Sequence, residues 1–280
     1  MNYLHGFHAG NHADVLKHTV LIHLLKRLKA KEKPFFVLDS HAGRGRYLIQ
    51  GEQARKTEEA QGGVFRMITL RKLPAPLAAY LEQVERDNPV GALVSYPGSP
   101  LIAAQQMRAE DRLVCVEAQK GEADALKSLF AHDGRVQVLA GDGYAAVKAQ
   151  LPPKERRGLV LIDPPYEAQE QEYGMILQAL HDGLARWPTG IYAAWYPIKR
   201  RAALKPFLRK AAQLPCKSAL VLELLVRPDN SPLRMNGSGM LILNAPFRMD
   251  AELGSSLSKL VELLDDGGAS HRIEWLKSAD

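Results

Sequence analysis

The apolar positions along the chain change period several times, and each change marks an element. Over residues 11–30, Leu16, Val20, Leu24 and Leu28 recur every fourth position on one face, and Asn11 stands where a side-chain cap belongs. Lys26, Arg27, Lys29 and Lys31 crowd the end of this predicted helix, where the helix dipole favours cations. The run Phe35-Phe36-Val37-Leu38-Asp39 predicts a short buried strand. Residues 46–96 lose the pattern. They are polar and irregular, with Gly62-Gly63, Pro74 and Pro76, and hold one amphipathic helical stretch near 76–86. Ser99-Pro100 then opens a helix over 100–109, with serine as cap and proline in the first turn.

From residue 112 onward, apolar runs of strand length alternate with amphipathic helices. The strands are 112–117, 135–139, 158–162, 190–196, 217–226 and 238–244. The helices fall near 119–131, 142–149, 170–186, 199–213 and 250–265. Such alternation predicts an α/β fold, a mostly parallel sheet with helices on both faces. Ligands of such sheets bind beyond the C-terminal ends of the strands, so the strand ends are where chemistry is to be sought.

The first strand runs into Asp39-Ser40-His41-Ala42-Gly43-Arg44-Gly45, whose glycines permit a sharp turn and close approach of a ligand to the backbone. Leu48 stands where a dinucleotide-binding G-x-G-x-x-G needs its third glycine, which disfavours hydride transfer. Glu117 ends the next strand and can accept from two ribose hydroxyls. Asp142, between Gly141 and Gly143, suits an adenine ring and its amino group. Each of these could equally be a plain turn or a solvated strand end. The fourth strand ends in Asp163-Pro164-Pro165-Tyr166, a stronger signal. Two prolines fix φ twice and remove two N–H donors. The Pro164 carbonyl can then accept from a ligand amine beside the Asp163 carboxylate, and Tyr166 offers a flat face for a base. Four signals in chain order, each at a strand end, are far more specific together than singly.

Composition adds bounds. The 280 residues are 46% hydrophobic and 24% charged, as in ordinary globular chains. No apolar run approaches the roughly 18 residues of a membrane helix, and the opening segment lacks the apolar stretch of a leader. A cytoplasmic protein without a membrane partner is expected, and a monomer. Cys115 and Cys216 sit in apolar, strand-like runs and read as inert core thiols. A net charge of +6 suits a nucleic-acid partner without demanding one.

The strand ends resemble those of class I S-adenosylmethionine-dependent methyltransferases, and Asp163-Pro164-Pro165-Tyr166 resembles the Asp/Asn-Pro-Pro-aromatic motif of amino methyltransferases. A denser marker is Phe7-His8-Ala9-Gly10-Asn11-His12-Ala13-Asp14-Val15-Leu16-Lys17-His18. Together with Asp39-Ser40-His41-Ala42-Gly43, Tyr96-Pro97-Gly98-Ser99-Pro100-Leu101-Ile102, Trp195-Tyr196-Pro197 and Gly237-Ser238-Gly239-Met240, it resembles the RlmJ family. That family methylates N6 of an adenine in bacterial 23S ribosomal RNA. The resemblance covers nearly the whole chain. It implies a Rossmann-like class I methyltransferase fold with a mostly parallel seven-stranded sheet, S-adenosyl-L-methionine as methyl donor and 23S ribosomal RNA as partner. It further implies cofactor contacts from His18, His41, Ser99, Glu117, Asp142 and Gly143. Asp163 would be catalytic, accepting from the target amine, and Tyr3 would lie near the RNA, with Pro164 and Tyr166 as further substrate contacts.

In a simple member of the fold, Glu117 would follow the glycine loop by roughly 20 residues. Residues 46–96 intervene. They read as a small helical subdomain inserted into a methyltransferase domain of 1–45 and 97–280, set beside the mouth of the site as an RNA contact or a plain lid. Five histidines, His5, His8, His12, His18 and His23, fall near the N-terminus. Their spacing is irregular and no Cys or carboxylate pattern completes a tetrahedral set, so no metal is expected. Lys26, Arg27, Arg55, Lys56, Lys199, Arg200 and Arg201 are the cations expected to grip RNA phosphates. The rival readings are methylation of guanine N2 in ribosomal RNA, methylation of adenine N6 in DNA, and a non-catalytic RNA-binding module that keeps the fold. A protein-glutamine methyltransferase would carry Asn at Asp163.

Overall fold

The expected strands all form, and an eighth joins them. The computed structural model describes residues 6, 8–49, 59–89, 92–166, 169–232 and 235–278. The main sheet contains β1 (Phe36–Asp39), β4 (Arg112–Glu117), β5 (Val136–Ala140), β6 (Gly158–Ile162), β7 (Ile191–Ile198), β8 (Ala219–Leu225), β9 (Gly237–Leu243) and β10 (Ser270–Lys277). Their order is β10-β8-β9-β7-β6-β1-β4-β5. β5, β4, β1, β6 and β7 are parallel, while β9 runs against both β7 and β8 and β10 runs against β8. The sheet therefore has eight strands, where seven were expected. β10 alternates Arg272 and Glu274 with Ile273 and Trp275, the period-two signature of a half-buried edge strand. That signature stood in the sequence unread.

Helices α1 (His12–Lys29), α2 (Ala75–Glu85), α3 (Ser99–Gln106), α4 (Lys120–Leu129) and α8 (Met249–Leu264) contribute to the core on one face. Helices α5 (Gly143–Gln150), α6 (Gln169–Arg186) and α7 (Arg201–Ala212) cover the other. Strand side chains alternate between the two cores: Val37 joins the first, Phe36 and Leu38 the second. Both cysteines are buried. Asn11 caps α1 as expected, its side chain accepting from the Ala13 and Asp14 amides. Ser99 does not cap α3. Gly98 holds that position, and Ser99 is the first helical residue.

Within 46–96, β2 (Arg46–Leu48) pairs with β3 (Ser95–Pro97) as an antiparallel ribbon. Between them lie α2 and two 3-10 turns, Glu59–Gly62 and Val64–Arg66. Val64, Met67 and Tyr80 are fully buried in the same core as α1. The turn carrying Glu59 is tied to the start of α1, where Glu59 accepts from Asn11 and pairs with His8. Among the described residues, no helix is long and apolar enough to cross a membrane.

Candidate active site

The C-terminal ends of β1, β4, β5 and β6, with one face of α1, surround a cavity of about 340 Å³. That lies within the roughly 300–1,000 Å³ of small-molecule sites. His18, His41, Ser99, Glu117, Asp142, Gly143 and Asp163 all line it. The strand order explains why. Asp142 follows β5, Glu117 ends β4, His41 follows β1 and Asp163 follows β6, four adjacent strands. At roughly 4.8 Å per strand, the row spans about 14 Å, room for an extended ligand across the sheet.

On the β4–β5 side the polar groups are set mostly by short-range contacts. Asp142 caps α5 with Oδ1, accepting from the Tyr144 and Ala145 amides. Glu117 accepts from the Gln119 amide with Oε1 and from the Gly43 amide with Oε2. Each carboxylate oxygen carries a second lone-pair site, so both side chains can still accept from a ligand. Gly143 serves packing as well as the cavity wall, since a Cβ there would lie 1.9 Å from the Ser40 carbonyl oxygen. The Ser40 hydroxyl donates to the Leu161 carbonyl and meets His41 Nδ1 at 2.8 Å. Burial holds the His41 pKa down at about 4, against the charges of Asp163 and Asp142. The ring is therefore neutral near pH 7. His18 Nδ1 meets the Tyr96 hydroxyl at 2.8 Å, which in turn meets Tyr80. Tyr80 and Tyr96 thus position a cavity side chain from the 46–96 segment. Tyr144 and Glu172 close another part of the wall through a 2.5 Å hydrogen bond, and neither was anticipated.

The β6 side is built differently. Lys17 Nζ lies 2.5 Å from Asp163 Oδ2 and 2.8 Å from Asp14 Oδ1. Both Lys17 and Asp14 are buried. Burial alone would lower the Lys17 pKa, but the carboxylates of Asp14 and Asp163 more than offset it and raise it above the ordinary lysine value. The ammonium is charged. Asp14 Oδ2 also accepts from the Gly10 amide, so the segment preceding α1 is tied to the same cluster. Sequence reasoning passed over Lys17 and Asp14. The available signal was an i,i+3 pair of opposite charge in the first turns of the helix. Beneath the site, burial pushes the Asp39 carboxyl up to about 7, opposed by the Ser99 hydroxyl.

Other expected site residues are placed less directly. Pro164 is buried and lies off the cavity wall, which Pro165 joins instead. Tyr166 has φ of 53°, donates its hydroxyl to the Trp195 carbonyl at 2.6 Å, and meets Tyr173 and Trp195 edge-on. Tyr3, Arg55 and Lys56 lie outside the described residues. Lys26 and Arg27 are nine and ten positions beyond Lys17 on α1, about 14 Å along the axis. Arg27 is paired there with Glu252. Lys199 and Arg200 are exposed just beyond β7. His8 pairs with Glu59 and His23 with Glu252.

Known proteins of similar sequence show the family. Residues 32–277 match the family described as ribosomal RNA large subunit methyltransferase D, RlmJ. The chain is 41% identical to ribosomal RNA large subunit methyltransferase J of Haemophilus influenzae over 278 residues, 99% of each chain. It is likewise 41% identical to the Escherichia coli protein of the same name, again over 99% of each. A crystal structure of a Legionella pneumophila protein, 36% identical, superposes with a TM-score of 0.88 over 95% of this chain and 98% of that one. By its sequence and its fold, the chain belongs to the RlmJ family of large-subunit ribosomal RNA methyltransferases.

Proposed function

We propose that this chain transfers a methyl group from S-adenosylmethionine to N6 of an adenine in 23S ribosomal RNA. The observation that carries the reading is the single cavity onto which Glu117, Asp142 and Asp163 all open from neighbouring strand ends. Asp142 and Glu117 would take the adenine and ribose of the cofactor, with His18, His41 and Ser99 along its length. When bound, the cofactor supplies an already activated methyl group on sulfonium sulfur.

The chain's own residues must align an amine whose lone pair is delocalised into its ring. Asp163 Oδ2 is committed to Lys17, which leaves Oδ1 to accept from the target amine. That hydrogen bond favours a tetrahedral nitrogen whose lone pair points at the methyl carbon. Such alignment supplies up to about 7–11 kcal/mol in well-oriented cases. The Asp163 carboxylate also stabilises positive charge developing on nitrogen. The proton lost from nitrogen passes on to water. A base drawn out of its stack needs a new surface. Tyr166, pinned through its hydroxyl, is rigid enough to be one.

The test is incubation of the protein and labelled cofactor with deproteinised 23S RNA, followed by mass spectrometry of nucleosides. N6-methyladenosine at one mapped position is expected. N2-methylguanosine, or transfer only to DNA, would refute the reading.

A further inference from the structure

The eighth strand creates a groove that the sequence did not announce. α7 and β10 flank a cleft of about 390 Å³. Arg201, Lys205 and Arg209 line it from the helix, at every fourth position. Each step rises roughly 6 Å along the axis, so the three form one stripe. Arg272 and Glu274 line it from the strand, with Leu276 below. The cleft therefore carries four cations and one half-exposed carboxylate, Glu274, which pairs with Arg272.

Two of these cations are held in place from beneath. Glu223, fully buried on β8, accepts from the Tyr196 hydroxyl at 3.0 Å and from Arg201 Nε at 3.1 Å, and lies 3.7 Å from Arg272. Lys205 and Arg209 are exposed and make no ion pair among the described residues. The stripe is continuous with exposed Lys199 and Arg200, which follow β7 on the side of the sheet where the cavity opens. A row of cations of which Lys205 and Arg209 make no ion pair among the described residues, beginning at the same edge of the sheet as the cavity, fits a polyanion and repels a cationic partner.

We propose that the α7–β10 groove binds the phosphate backbone of the substrate RNA as it leads away from the target nucleotide. This rests on RNA being the substrate, as proposed above. Contacts of this kind position the strand and carry no base preference. They would let the enzyme hold a long RNA while the target base alone enters the cavity.

The test is the double variant Lys205→Ala, Arg209→Ala, assayed on deproteinised 23S RNA across a salt series. Arg201 is left intact because its loss would strand the buried Glu223 charge. Two lost phosphate contacts should raise KM by on the order of tenfold near 0.15 M salt and flatten the slope of log KM against log salt by about 1.4. kcat and calorimetric cofactor affinity should stay near the parent's. A control pair, Lys127→Ala with Lys148→Ala, removes equal charge from exposed positions on α4 and α5 and should leave KM and slope unchanged. An unchanged KM and slope in the groove variant, or an equal change in the control, overturns the groove. A parent enzyme that methylates no RNA at all overturns the substrate reading instead.

Discussion

The two ends of the cavity are held by different kinds of contact. At the β4–β5 end, Asp142 binds amides two and three residues away, and Glu117 binds one two residues away as well as the more distant Gly43 amide. At the β6 end, Lys17 reaches Asp163 across 146 positions of sequence. The first end is set by turn and cap chemistry that any chain with these residues would tend to form. The second exists only once α1 has docked against β6. A side chain at the first end can therefore be altered without disturbing the fold, whereas at the second, chemistry and stability are joined.

The largest contrast should come from Asp163→Ala. Turnover should fall by at least about 10²-fold, while calorimetry finds the cofactor bound nearly as before. Near-normal methylation would remove Asp163 from the reaction. Lys17→Ala should come next. It strands two carboxylates in a buried setting, and breaking such a pair costs about 3–5 kcal/mol, read as a lower Tm. It should also lower kcat, because the Asp163 carboxylate loses the ammonium that holds it in place. A fall in Tm with kcat unchanged would mean that Lys17 serves folding alone.

Asp142→Asn sharpens the opposite end. Asparagine caps a helix as well as aspartate does, so Tm should hardly change. The lost charge-assisted hydrogen bond should weaken the cofactor about tenfold in calorimetry. Unchanged affinity would remove Asp142 from the cofactor site. The smallest effect is expected at Asp39, between the two ends. Its carboxyl is raised by burial to about 7 in the folded chain, so the folded state binds the extra proton. Stability is highest below the unfolded value near 4 and is lost as pH rises towards 7. Asp39→Asn should accordingly match the parent in Tm near pH 4 and exceed it by a few degrees, roughly, near pH 8. A constant difference across that range would show that Asp39 does not titrate there.

Much of the architecture was legible because it depends on local periodicity. The strand at 158–162 was placed to the residue, and the helix expected near 142–149 runs from Gly143 to Gln150. That His41, Glu117, Asp142 and Asp163 would share one cavity was legible for the same reason: they lie at strand ends, and the ends follow from the strands. Ser99 was misplaced as a cap because a helix N-terminus accepts glycine too, and because the hydroxyl had a buried carboxylate, Asp39, to approach. Tyr80 and Tyr96, which hold His18 from the 46–96 segment, gave no periodic sign of that task.

Read alone, the sequence determined the alternation of strands and helices, the order of the four chemical strand ends, and the family these residues resemble. Those features rest on spacing within a few residues, where side-chain direction follows directly from helix and strand geometry. Tertiary structure decided which oxygen of Asp163 is free, that Lys17 lies against it, and that β10 builds a cationic groove with α7. Each of these is a meeting of segments far apart in sequence, chosen by which faces bury one another and which charges are then left to pair.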